Sequence, residues 1–179
     1  NIINVVGEDV RPEPGVSSAE AGKAAFIALE QAVADLKQGE IDVLVTAPIN
    51  KKNIQSDTFH FPGHTEYLAA AAGEPQSRAL MIMCCDQLRV ALQTTHLPIK
   101  DVPEAITVDA IVEKLKVFDH ALRADFRVQN PRIAVLALNP HAGDNGLLGS
   151  EEQEVIIPAI AKAQEAKVLA FGPYAADGF

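Results

Sequence analysis

The residues of this chain that are best suited to chemistry are three histidines at predicted strand ends or helix starts, each within two residues of a glycine or proline. Of the five histidines, these are His64, His96 and His141. Imidazole has an ordinary pKa of about 6.5, so it can transfer a proton, contact an anion or, when neutral, bind a metal. These three residues are therefore the first candidates for a functional site.

Two of the histidines could share a metal ion. His96 and His141 each follow a predicted strand (89–94 and 132–138) by one to three residues. If the two strands are neighbours, both imidazoles could reach one divalent ion at the sheet edge. Two histidines are too few for a closed site, and no HExxH motif is present. On spacing alone, the better supported alternative is that both histidines only fix loop backbone.

The third histidine lies in a different setting, directly before a predicted helix. The Gly63-His64-Thr65 turn offers backbone N–H groups, a hydroxyl and an imidazole at the positive end of a helix dipole. That combination suits an anionic or hydroxylated ligand. An equally weighted alternative is that Thr65 only caps the helix. Lys51 could also meet a phosphate or carboxylate, although a solvated lysine is the commoner case.

Helices alternate with short apolar strands along the chain, which predicts an α/β fold with a mainly parallel sheet. The first helix begins at a Ser17 or Ser18 cap and ends at Gly39. The predicted helices then cover 65–73, 107–123 and a segment from residue 150, and the predicted strands cover 41–46, 79–85, 89–94, 132–138 and 168–171. Segment 41–46 is expected to be buried on both faces. We place a domain boundary near Asp57.

Composition narrows the class of partner. A net charge of −9 argues against nucleic acid and anionic membranes, because both favour Lys and Arg. No apolar run approaches the roughly 20 residues of a membrane span, and no secretory leader opens the chain. The adjacent Cys84 and Cys85 predict two buried thiols in a reducing cytoplasm. The chain starts at Asn1 without Met and stops in a loop, so we expect a segment of a longer cytoplasmic protein.

Four motifs in order carry a family resemblance that covers nearly the whole chain. They are VTAPINK at 45–51, FPGHTEYL at 61–68, RVALQTTHLP at 89–98 and LNPHAG at 138–143, with GSEE at 149–152 and FGP at 171–173 beside them. Together they resemble the 4-hydroxythreonine-4-phosphate dehydrogenase family of vitamin B6 (pyridoxine 5'-phosphate) biosynthesis.

The resemblance implies an isocitrate/isopropylmalate dehydrogenase-like fold of two α/β domains with a cleft between them. Residues 1–57 would be the remainder of the first domain, and 58–179 the second domain with the substrate and metal residues. It also implies a homodimer with the active site at the subunit boundary. The family's GDPAGIGPE-like segment would precede this chain. A third metal-binding histidine, in a YHDQ-like motif, would follow this chain. The remaining substrate contacts and most of the NAD-binding surface would lie outside it too.

By motif, the resemblance also implies roles for individual residues. His64 and Thr65 match a substrate-binding pair for a small phosphorylated substrate. His96 and His141 match two of three ligands to a divalent metal (zinc, magnesium or cobalt). No general base or NAD-binding residue is assigned within the chain. Asp177 is a candidate substrate contact.

The implied reaction is metal-assisted, NAD-dependent oxidation and decarboxylation of 4-phosphooxy-L-threonine to 3-amino-2-oxopropyl phosphate. One alternative is a related NAD-dependent dehydrogenase of a phosphorylated four-carbon sugar acid, 4-phospho-threonate or 4-phospho-erythronate. An acyltransferase of the phosphate acetyltransferase type and a non-catalytic binding protein are further alternatives. NADH formation and metal dependence would separate the dehydrogenases from the last two classes.

Overall fold

A computed structural model describes residues 2–73 and 79–179. They divide into two compact units, the first ending at residue 73 and the second beginning at residue 79. The helices are α1 (Ala19–Gln38), α2 (His64–Ala72), α3 (Val102–Ala105), α4 (Val108–Ala124) and α5 (Ile157–Glu165), and the strands are β1 (Ile82–Cys84), β2 (Arg89–Ala91), β3 (Ile133–Leu136) and β4 (Ala170–Tyr174). The predicted α/β class is confirmed. Within these residues no helix combines the length and apolarity needed to cross a bilayer.

The first unit is organised around α1, whose predicted ends are confirmed. The Ser18 hydroxyl accepts a hydrogen bond from the N–H of Ala21 at 3.1 Å, and Gly39 ends the helix in the left-handed conformation. A side-chain oxygen at the N-cap satisfies a donor that the helix cannot satisfy itself. The predicted apolar stripe buries Phe26, Leu29 and Val33. The caps therefore determine where α1 begins and ends, and the apolar stripe determines which face of the helix is buried.

An aromatic cluster holds α2 and the loop before it against α1. Phe59 is fully buried, and its ring centroid lies 5.4 Å from that of Phe26 and 5.5 Å from that of Phe61. Tyr67 of α2 completes the cluster, 5.9 Å from Phe26. Such edge-to-face pairs add to the free energy gained by burial. Residues 58–73 therefore pack in the first unit, beyond the boundary placed near Asp57; the domain division of the whole protein stays a prediction.

The strand predicted at 41–46 is not formed. Residues 43–50 have no regular secondary structure, and the exposed fractions of Val43 and Val45 are 72% and 90%. Leu44 packs against the core of the first unit. Because a strand is stable only when neighbours satisfy its N–H and C=O groups, a β-branched sequence alone does not produce one. The prediction of a strand buried on both faces is therefore wrong for this structure.

The second unit combines two strand pairs with the helices α4 and α5. β1 and β2 form the predicted antiparallel hairpin, while β3 and β4 are parallel, with Ile133 opposite Ala170. Thr107 caps α4, accepting from the N–H of Ala110 at 3.2 Å. The core joins the inner faces of α4 and α5 to Ile133, Val168 and Ala170. The described strands are therefore half antiparallel and half parallel, not the mainly parallel sheet predicted.

The two cysteines are exposed, so the prediction of buried thiols is wrong. Cys84 ends β1 opposite Arg89, and Cys85 lies beyond it, donating its backbone N–H to the carbonyl of Leu88 at 2.9 Å. A two-stranded hairpin covers little of its own surface. An apolar sequence context therefore did not ensure burial at this position.

Candidate functional site

His64 and Thr65 open α2, and the N-cap residue of this helix is a glycine. Gly63 is the N-cap residue and makes no side-chain capping bond; its carbonyl accepts from the N–H of Tyr67 at 3.3 Å. Thr65 is the second helical residue and is exposed, while His64 is half-buried. Thr65 is therefore not the cap. The first-turn N–H groups, the Thr65 hydroxyl and the His64 imidazole are grouped at the positive end of the dipole.

Lys51 lies beside the same helix start. A Cβ placed on Gly63 would be 3.7 Å from Cε of Lys51 and 4.0 Å from its Nζ. The lysine follows Asn50, whose Oδ1 accepts backbone N–H bonds from Lys52 and Asn53 at 3.0 and 3.2 Å. A carboxylate oxygen of Glu66 lies 3.5 Å from the same point, so the local charge is mixed. An ammonium group at a helix N-terminus suits a phosphate better than either feature alone.

His141 lies in a left-handed turn of five residues. Between Pro140 and Gly146, residues 141–145 all have positive φ, from 43° to 76°. Four of the five are not glycine, and each such residue costs roughly 1–2 kcal/mol in this conformation. Strain of this kind persists only where surrounding contacts enforce it, and it concentrates at functional sites. The turn is therefore a feature that needs support from neighbouring residues.

Glu152 supplies much of that support. Its side chain is only 2% exposed, and its Oε1 accepts the backbone N–H groups of Leu138 and Asn139 at 2.9 and 2.7 Å. Its Oε2 accepts from the Asn139 amide at 2.9 Å. Burial acts to raise the pKa of Glu152, but the bonds from Asn139 and Leu138 outweigh it and hold this pKa below its ordinary value. An ionised, buried carboxylate thus anchors the segment that leads into the turn.

Asp177 contacts His141 directly. Its Oδ1 accepts the backbone N–H of His141 at 3.1 Å, and its Oδ2 lies 2.6 Å from Nδ1 of the ring. The backbone N–H bond from His141 is the main cause that holds the pKa of Asp177 below its ordinary value. Asp177 was expected to contact substrate; in the structure its carboxylate is engaged with His141. Local sequence patterns do not indicate this pair, because the two residues are 36 positions apart.

His96 shares the unusual backbone of His141. Its φ is 56°, and it is one of the few non-glycine residues with positive φ among those described. β2 ends at Ala91 and β3 at Leu136, so each histidine is the fifth residue after its strand, and the predicted spacing of one to three is wrong. β2 and β3 pair with different strands. Convergence of the two imidazoles on one ion stays a prediction.

The donor atoms of this chain fit part of a metal site. With Nδ1 of His141 held by Asp177, Nε2 is the nitrogen left for a ligand, and metal-binding histidines ordinarily carry such a carboxylate partner. Over residues 2–73 and 79–179, no three or more His, Cys, Asp and Glu side chains are grouped as a metal site. The described residues therefore offer only part of a set of metal ligands.

Two features near the candidate residues could not be read from the sequence: the burial of Glu152 and the closeness of Lys51 to Gly63. Glu152 belongs to the GSEE motif, yet an acidic residue near a helix start is ordinarily solvated at its dipole. Nothing in the local sequence indicates that this carboxylate is buried. Lys51 was weighed as a phosphate contact, but its closeness to Gly63 depends on how the loop folds onto α2.

Comparisons with known proteins identify the family of this chain. The model of "Pyridoxal phosphate biosynthetic protein PdxA" matches residues 1–179. The chain is 51% identical over 179 residues to 4-hydroxythreonine-4-phosphate dehydrogenase of Bacteroides thetaiotaomicron, covering 100% of this chain and 49% of that protein. The Klebsiella pneumoniae enzyme of the same name has a crystal structure that aligns with a TM-score of 0.84 at 34% identity, covering 93% of this chain and 50% of that one. The chain spans about half the length of the relatives it matches.

Proposed function

Because the chain belongs to the PdxA family of pyridoxal phosphate biosynthetic proteins, we propose that its protein is a 4-hydroxythreonine-4-phosphate dehydrogenase. The reaction is oxidation and decarboxylation of 4-phosphooxy-L-threonine to 3-amino-2-oxopropyl phosphate, with NAD as hydride acceptor. The observation that carries the proposal is 51% identity to a relative of that name across all 179 residues. The alignment covers the whole chain and therefore both groups of candidate site residues.

The start of α2 is the proposed substrate site. His64 and Thr65 would contact the phosphorylated substrate, with the first-turn N–H groups of the helix. The glycine at the N-cap supports this assignment, because a residue without a side chain leaves room for a ligand beside the first turn. Lys51 adds a positive charge within reach of the same point. Holding the substrate in one orientation is a large part of what a dehydrogenase site must do, because hydride transfer depends on the alignment of the reacting atoms.

His96 and His141 are the proposed metal ligands. A zinc, magnesium or cobalt ion would supply Lewis-acid polarisation of the substrate hydroxyl. The chain's own part is to hold two imidazoles on strained backbone, one of them fixed by Asp177. Oxidation moves a hydride to NAD and releases the hydroxyl proton. The β-keto acid that results loses carbon dioxide because its ketone accepts the electron pair left behind.

The rest of the site would come from outside this chain. We propose a third histidine ligand, further substrate contacts and the NAD surface in the remaining half of the protein. We also propose a homodimer with the active site at the subunit boundary. An isocitrate dehydrogenase-like pair of domains around a cleft fits this division. Support comes from the length of the relatives, of which this chain covers about half.

NADH formation by the whole protein tests the proposal. Absorbance at the NADH band is followed with NAD, a divalent metal and either 4-phosphooxy-L-threonine or 4-phospho-erythronate. The proposal expects faster turnover of the amino acid. Faster turnover of the sugar acid would assign the protein to the alternative dehydrogenase. Absence of NADH with both substrates, in a folded and metal-loaded protein, would contradict the dehydrogenase assignment.

A further inference from the structure

We propose that Asp177 is a positioning residue that fixes the His141 imidazole in the tautomer with its proton on Nδ1. The inference deepens the proposed function and rests on it, since it assumes that His141 binds a metal. Asp177 itself would contact neither the metal nor the substrate. Its part is to decide which ring nitrogen of His141 carries a lone pair.

Two contacts from one carboxylate carry the argument. Oδ1 of Asp177 accepts the backbone N–H of His141 at 3.1 Å, while Oδ2 lies 2.6 Å from the ring Nδ1. The first bond fixes the carboxylate relative to the main chain, and the second fixes the ring relative to the carboxylate. Asp177 is itself held in a short turn that closes from the N–H of Gly178 to the carbonyl of Ala175 at 3.1 Å. Ring and backbone of His141 are thus oriented by the same group.

Hydrogen-bond chemistry then fixes the tautomer. An ionised carboxylate can only accept, so Nδ1 must donate and must carry the proton. In neutral imidazole the other nitrogen, Nε2, then carries the lone pair that a metal requires. This orientation matters more than usual here, because the side chain of His141 is 72% exposed. Packing against the ring does little to restrict it, and Asp177 supplies the restraint.

The contact between Asp177 and His141 also depends on the backbone conformation of the left-handed turn. Residues 141–145 hold positive φ throughout. The backbone N–H of His141 points where Asp177 can accept it only while this conformation lasts. Asp177 therefore also braces the first residue of the turn.

The decisive variant is Asp177→Asn. It keeps the size of the side chain but replaces one hydrogen-bond-accepting oxygen with a donating NH2 group. An amide NH2 group donates, so it favours the tautomer with the proton on Nε2, which cannot bind a metal through that nitrogen. Zinc affinity of the whole protein is measured by competition with a chromophoric chelator. We expect Asp177→Asn to weaken zinc binding about 10–100-fold. Asp144→Asn removes one charge from the same turn, leaves Asp177 in place, and is expected to change the affinity less than twofold.

His141→Ala distinguishes the positioning role of Asp177 from the binding of metal by His141, on which that role rests. If His141→Ala weakens zinc binding and Asp177→Asn does not, the positioning role is wrong and the metal assignment stands. If His141→Ala leaves zinc binding unchanged, both are wrong. Nitrogen-15 NMR of the metal-free protein gives a second readout: the His141 proton should lie on Nδ1 in the wild type and on Nε2 in Asp177→Asn. The same tautomer in both proteins would overturn the inference.

Discussion

Asn139 donates hydrogen bonds to the carboxylate of Glu152 from both its backbone N–H, at 2.7 Å, and its side-chain amide, at 2.9 Å. Glu151 accepts a further bond from that amide at 2.7 Å. Asn139, two positions before His141, is therefore tied to the start of the helical segment Glu152–Ile156, which leads directly into α5. Placement of His141 depends on a buried acid that is not itself a candidate ligand.

We expect Glu152→Gln to destabilise the protein by about 1.5–3 kcal/mol at pH 7. A glutamine can still accept the backbone hydrogen bonds, but it lacks the negative charge that strengthens them. Its NH2 group would also face the NH2 group of Asn139, and two donors cannot form a hydrogen bond. Chemical unfolding of wild type and variant measures the difference in the free energy of unfolding. A difference below about 0.5 kcal/mol would show that the carboxylate is not a structural anchor.

The same pair predicts a pH dependence. The folded-state pKa of Glu152 is held below its ordinary value, so the stabilisation is fully present above the unfolded pKa of about 4.3. It is lost as the pH falls through the lower, folded pKa. The difference in unfolding free energy between wild type and Glu152→Gln should therefore narrow in acid. A difference that stays constant down to pH 2 would contradict the assignment.

Gly143→Ala should be more destabilising than Gly146→Ala. Both glycines have positive φ, so both substitutions carry backbone strain. A Cβ on Gly143 would lie 2.7 Å from Oε2 of Glu152 and 3.0 Å from the carbonyl oxygen of Gly149, whereas the nearest atom to a Cβ on Gly146 is 3.5 Å away. Thermal unfolding should give a lower Tm for Gly143→Ala, by several degrees. Equal Tm values would mean that the Glu152 carboxylate does not occupy this space.

In the first unit, Gly22→Ala should destabilise by about 1–3 kcal/mol even though alanine is the better helix former. A Cβ at Gly22 of α1 would lie 1.9 Å from the carbonyl oxygen of Asn53. The loop that follows Lys51 would have to move. Ala28→Gly, the reverse exchange at an exposed position of α1, measures the helix-propensity term alone. Stabilisation by Gly22→Ala would show that the loop does not approach the helix so closely.

His64→Ala should raise KM for the phosphorylated substrate or lower kcat by at least tenfold, because the variant lacks the imidazole that we propose as a substrate contact. His60→Ala is the matched control: its ring Nε2 lies 3.1 Å from the carbonyl oxygen of Asp57, in the preceding loop. That control should keep the wild-type kinetics. Steady-state rates of NADH formation make the comparison. Equal effects of the two substitutions would remove His64 from the substrate site.

Local signals were sufficient for the longer helices. Ser18, Gly39 and Thr107 act where capping chemistry places them, and the 3.6-residue spacing of apolar residues identified the buried faces. These features depend on residues within a few positions of one another. Strand 41–46 failed because a strand depends on partners elsewhere in the protein, which its own sequence does not specify.

Candidate site residues could be proposed from the sequence, but their geometry could not. Motifs pointed to His64, His96 and His141, whereas the left-handed turn and the Asp177 contact result from long-range packing. Glu152 shows the same limit, since its burial follows from how the loop closes over it. Residue types can be recognised from sequence, but the contacts that orient them come from the folded chain.

The most direct test of the proposed metal centre is an anomalous-difference map of the whole protein crystallised with zinc. The proposal predicts one strong peak about 2.0–2.1 Å from Nε2 of His141 and equally close to a ring nitrogen of His96. Asp177 should remain within hydrogen-bond distance of Nδ1 of His141. A zinc ion bound elsewhere, with the rings of His96 and His141 turned to separate surfaces, would contradict the metal assignment.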